Sequence, residues 1–70
     1  MNVRLQKARE VRGMTRAALA AAAGTTPWYI TWIERHGHVP RADLRRRIAQ
    51  ALGVDESEIW PEIDKEERGR

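Results

Sequence analysis

Apolar positions recur along this chain at helical intervals and nowhere alternate as they would in a strand. Leu5 and Ala8, followed by Arg9 and Arg12, fall at i, i+3, i+4 and i+7 and predict a helix over residues 3–12, with Gly13 closing it. Leu19, Ala20 and Ala23 share the inward face of a second helix over 16–23, where Ala17, Ala21 and Ala22 look outward and add propensity rather than burial. A third helix over 27–35 sets Ile30 and Ile33 on one side. Trp28, Thr31, Trp32 and Arg35 form a stripe on the other. Leu44, Ile48, Ala51 and Leu52 make the core stripe of a fourth helix over 42–52, leaving Arg45, Arg46 and Arg47 to fan over its remaining surface. Ile59 and Trp60 are the apolar side of a short fifth helix over 56–60. A helix apolar on two faces, as the third one is, buries one of them against something outside so small a domain.

The punctuation between these stretches agrees with the periodicity. Thr15 offers a hydroxyl to cap the second helix, and Gly24 can adopt the left-handed conformation that ends it. Thr26–Pro27 restarts a helix with a capping hydroxyl and a proline where no N–H is needed. Two short helices joined by a glycine turn within about twenty residues are the helix-turn-helix arrangement. Residues 36–40 read as a loop broken by Gly37 and Pro40. Asp43 suits the first turn of the fourth helix, Gly53 its end, and Asp55 with Glu58 reads as a capping box. The domain therefore spans 1–60, and 61–70 reads as an acidic, flexible tail with Ile63 as its apolar residue.

Composition narrows the function. The 70 residues include no cysteine, and no apolar run approaches a membrane span or a signal peptide, so a cytoplasmic protein with no membrane role is expected. Residues 1–54 hold ten basic and three acidic side chains, net +7, whereas 55–70 hold three basic and seven acidic, net −4. A basic body of this kind suits a polyanion, or is simply an arginine-rich soluble surface. One serine, no cysteine, no acid pair and no glycine-rich phosphate loop argue against an enzyme. His36-x-His38 without further ligands reads as a solvated loop rather than a metal site, and no cofactor is expected.

Leu5-x-x-x-Arg9, Gly13-Met14-Thr15, Leu19-Ala20, Gly24-Thr25-Thr26, Ile30-x-x-Ile33-Glu34, Pro40 and Ile48-Ala49-x-Ala51-Leu52-Gly53-Val54 stand in an order and spacing that give the chain its kinship. Over about residues 3–60 it resembles the phage-repressor or Cro-like (XRE-type) helix-turn-helix DNA-binding domains. The resemblance implies an all-α, compact five-helix, lambda-repressor-like fold with the third helix in the major groove and the second across the backbone. It implies an Arg9–Glu34 salt bridge between the first and third helices. Thr26 matches a capping hydroxyl near a phosphate and Arg41 a phosphate-facing residue. Tyr29 and His38, at the helix edge and in the following loop, join them. Arg16 stands where the family usually has a backbone-contacting glutamine, and arginine can bind phosphate there more strongly. Gly37 and Leu44 are each displaced from the family pattern. The base-reading positions are Pro27, Trp28 and Trp32, with Thr31 and Arg35 beside them.

Those readers are unusual. Pro27 offers no donor, and a tryptophan offers one N–H and no acceptor. The rings can pack on thymine methyls and sugars while Thr31, Arg35 and Arg16 make polar contacts, so that specificity leans on apolar contact and DNA shape. Alternatively, Trp28 and Trp32 pack into the core under loop 36–40, or form a protein interface. Ile59 and Trp60 cover the core or a homodimer seam. The expected function is a sequence-selective, double-stranded DNA-binding transcriptional regulator, homodimeric, of the stand-alone phage, prophage or bacterial repressor type. The alternative is an interaction module (antitoxin, adaptor or anti-repressor) whose Trp28/Trp32 face binds a toxin or another regulator.

Overall fold

The computed structural model describes residues 1–63. They form α1 (Val3–Val11), α2 (Arg16–Ala23), α3 (Pro27–His36), α4 (Ala42–Leu52) and α5 (Glu56–Ile59), and helical residues recur at 61–63. Among the described residues there is no strand. Helix α2 packs on α3 and α4, α1 on α3 and α5, and α4 on α5. The faces so joined bury Leu5, Leu19, Ala20, Ala23, Ile30, Ile33, Leu44, Ile48, Leu52, Ile59 and Trp60 in one core. Each large aliphatic side chain removed from water there contributes about 1.5–3 kcal/mol before entropy is set against it. Ala20 and Ala23 carry so little side chain that α3 and α4 can lie close against α2.

Local chemistry sets the turn that positions α3. Thr15 Oγ1 accepts from Ala18 N–H at 3.0 Å and Thr26 Oγ1 from Tyr29 N–H at 3.1 Å, so both predicted hydroxyl caps form. Gly24 has φ +73°, and Thr25 N–H bonds back to the Ala20 carbonyl at 2.9 Å, the six-to-one closure of a Schellman motif. Gly37 ends α3 at φ +71°, one residue beyond the predicted end. A Cβ there would come within 2.8 Å of the Met1 backbone nitrogen, so both conformation and space demand glycine.

Several expectations are corrected. Arg45 does not fan over the surface. It is 7% exposed, donates from Nη1 to the Pro40 carbonyl at 2.9 Å and from Nε to Glu56 at 3.3 Å. Asp55 makes no side-chain cap, so the predicted capping box is absent, and Glu58 N–H bonds the Asp55 carbonyl instead. Ile59 and Trp60, 2% and 4% exposed, lie in the protomer's own core and leave almost no side-chain surface for a dimer seam. Ile63 is half-buried against that core, so the packed domain reaches past residue 60. Residues 64–70, most of the expected tail, lie outside the described residues.

Candidate nucleic-acid interface

The inner side of α3 is fastened by charge as well as by Ile30 and Ile33. Glu34, 2% exposed, accepts from Arg9 Nε at 2.8 Å and Nη2 at 3.1 Å, the two-pronged fork that matches a carboxylate. The predicted Arg9–Glu34 bridge is therefore present. Arg9 Nη1 also donates to the Met14 carbonyl at 2.9 Å, tying α1 to the start of the α2 approach. The hydrogen bond that Arg9 donates to Glu34 raises the Arg9 pKa above its ordinary value; desolvation opposes this, and the charges of Glu34 and Glu10 add to it. Arg16 joins the same carboxylate, Nε to Oε1 at 3.0 Å. Expected on a phosphate, Arg16 instead spends that donor on closing the helix-turn-helix unit from within, with its side chain one-third exposed.

Asn2 was not singled out by sequence reasoning, although asparagine before an apolar helical start is a capping signal. Its Oδ1 accepts from Leu5 N–H at 3.0 Å, its N–H donates to the Glu34 carbonyl at 2.9 Å, and its Nδ2 donates to the Ile59 carbonyl at 3.3 Å. The Asn2 side chain thus caps α1 and holds the end of α5, while its backbone N–H ties on the end of α3.

The outer side of α3 is aromatic and open. Pro27 occupies its first turn, exposed, and Trp28 follows at 67% exposure. Trp32, one turn on, is half-buried, its ring centroid 5.3 Å from that of Trp28 with the planes 35° apart. His38 lies flat on Trp32, 3.7 Å between centroids and 3° between planes, and Tyr29 meets both rings edge-on. The Tyr29 hydroxyl and His38 Nε2 share a 2.8 Å hydrogen bond. Tyr29 and His38, both expected at phosphates, are thus bonded to each other and brace Trp32. The loop after α3 does fold onto one tryptophan, Trp32, and leaves Trp28 open. Thr31 Oγ1 donates to the Pro27 carbonyl at 3.1 Å, and Arg35 is exposed.

Cations flank this side. The Arg41 side chain is 91% exposed and comes no nearer than 3.9 Å to Asp43. Arg47 Nη2 lies 3.5 Å from Asp43 Oδ2, one helical turn back. Arg47 Nη1 lies 3.2 Å from where a Gly24 Cβ would stand, so this guanidinium overhangs the turn between α2 and α3. A cleft of about 360 Å³ opens between Tyr29, Leu44, Asp43 and the two arginines. Thr26 is exposed at the start of α3, the positive end of the helix dipole, which favours an anion. Arg47 was not picked as a site residue; only its distance from the turn, set by how α4 crosses α2, gives it away.

Residues 3–59 match the family model of the helix-turn-helix domains. The chain belongs to this family. No curated protein and no solved structure matches it. In the helix-turn-helix domain so assigned, α2 and α3 are the paired helices, and α3 is the second of them. Helix-turn-helix domains are DNA-binding modules that set their second helix in the major groove. Among the described residues, no helix is long and apolar enough to cross a membrane.

Proposed function

We propose that this protein is a sequence-selective, double-stranded DNA-binding transcriptional regulator of the repressor type, acting in the cytoplasm as a homodimer. The observation that carries the reading is the solvent-facing side of α3: Trp28 open, Thr31 and Arg35 on the same helix, and the exposed cation Arg41 together with Arg47 in the cleft beside Tyr29. Pro27, Trp28, Thr31, Trp32 and Arg35 lie along the groove, and Thr26, Arg41 and Arg47 meet phosphates. Arg16, Tyr29 and His38 act one step back, as supports for α3 and Trp32. Exposed Met1, Val3 and Val39, which line one cleft with Arg4, Pro61 and Glu62, form the mixed surface on which a second copy would pack.

Specific apolar exposure favours one other reading. Trp28 and Trp32 line an open cavity of about 260 Å³, the sort of aromatic surface on which protein interfaces concentrate energy. An antitoxin or anti-repressor would use that face on a protein partner. Anisotropy of labelled random and selected duplexes, titrated at several salt concentrations, separates the two. A DNA reader prefers the selected duplex by about 10³-fold or more and loses affinity linearly in log[salt]. Failure to bind any duplex at low salt would reject the DNA reading.

A further inference from the structure

The cavity on the outer side of α3 is lined by Trp28, Thr31, Trp32 and His36. The two indoles touch, with centroids 5.3 Å apart and planes tilted by 35°, so the pair forms a shallow apolar wedge open to solvent rather than a slot between the rings. One wall is fixed: Trp32 is stacked on the parallel His38 ring, which the Tyr29 hydroxyl holds in turn. The other wall, Trp28, stands two-thirds in water. Hydrogen-bonding groups stand at the ends of this lining rather than between its rings. Each indole has one N–H and no acceptor, the Thr31 proton is already given to the Pro27 carbonyl, and the exposed His36 imidazole supplies the polar rim. Such a wedge rewards an occupant that is small, apolar and carried on a polyanion, since Tyr29, which meets Trp32 edge-on, also lines the neighbouring cleft that holds Arg41 and Arg47.

In the major groove one group meets that description, the C5 methyl of a pyrimidine. We propose that the Trp28–Trp32 wedge is a subsite for the C5-methyl group of thymine or 5-methylcytosine, and that Tyr29 and His38 are positioning residues that hold its fixed wall. The proposal rests on the DNA-binding reading above. It makes the protein a reader of methyl groups rather than of base polarity, and hence sensitive to cytosine methylation within its site. Specificity here comes from burying one methyl against the exposed apolar surface of the indole pair, worth about fourfold in affinity if it matches the burial of a single methylene-sized group.

The test uses the whole chain and a duplex selected from random sequence. Each thymine is replaced in turn by deoxyuridine, which removes the methyl and leaves every hydrogen-bonding edge intact. One or two positions are expected to weaken binding by about fourfold. At such a position, a 5-methylcytosine·guanine pair is expected to bind more tightly than cytosine·guanine by a similar factor. In Trp28→Ala, whose ring is mostly in solvent, both effects should shrink below twofold. His38→Ala should reduce them while leaving the melting temperature nearly unchanged. Deoxyuridine duplexes all within twofold of the parent would overturn the proposal and leave DNA binding standing. So would methyl effects undiminished in Trp28→Ala, or a selected site with no thymine. Absence of binding to any duplex would remove the proposed function and this subsite with it.

Discussion

The two sides of α3 are built on opposite terms. On the inner side Ile30 and Ile33 are fully buried, and Glu34 accepts three N–H bonds from two arginines. On the outer side, four residues of the same helix present rings, a hydroxyl and a guanidinium, with Trp28 and Arg35 facing solvent. The inner side fixes where the helix lies, through contacts that reach α1 and α2. The outer side carries little of that burden, so it can be aromatic without endangering the fold. Trp32 is the exception, since it joins both worlds: half-buried, and clamped by a residue from beyond the helix end.

The division can be tested from its strongest consequence downward. Glu34→Ala leaves Arg9, almost fully buried, without its carboxylate, and is expected to cost about 3–5 kcal/mol in urea unfolding. A loss under about 1 kcal/mol, the range of surface pairs, would mean that the ion cluster does not fasten α3. Ile30→Ala should cost about 2–5 kcal/mol by the same assay, with the spread set by how far the core closes on the cavity. Thr26→Ala removes the cap and should cost about 1 kcal/mol. Because the capping hydroxyl lies at the groove end of α3, DNA affinity should fall by more than the lost stability explains. Trp28→Ala is expected to move stability by no more than about 0.5 kcal/mol. A large destabilisation there would erase the distinction between the sides. Arg41→Ala should leave unfolding unchanged, weaken binding to all duplexes alike and lower the salt slope by about one.

The parts of this architecture that were legible in the sequence are the local ones. Thr15, Gly24 and Thr26 act within one turn of themselves, so their roles follow from residue type and spacing. Ile30 and Ile33 follow from period alone, and the Arg9–Glu34 bridge from the family resemblance. What escaped depends on how helices cross. Arg45 stands at i, i+3, i+4 and i+7 with Ile48, Ala49 and Leu52, so the inward face of α4 is rotated from the predicted stripe of Leu44, Ile48, Ala51 and Leu52. An arginine on that face is tolerable because it is hydrogen-bonded, among others to the Pro40 carbonyl and the Glu56 carboxylate. Arg16 was legible as a cation but not as a partner of Glu34, which lies 18 residues away across the turn. The Tyr29–His38 pair was equally hidden, because each residue alone reads as a polar edge group.

The three tryptophans have one further consequence. Trp60 sits in the core with its indole N–H buried and without a hydrogen-bond partner among the described residues, Trp32 lies face to face with an imidazole, and Trp28 faces water. Their emission should accordingly divide into a blue component shielded from iodide and a red component that iodide quenches. Unfolding would shift the first, and an occupant on α3 would protect the second. The domain carries, in unlabelled form, separate optical gauges of its integrity and of its occupancy.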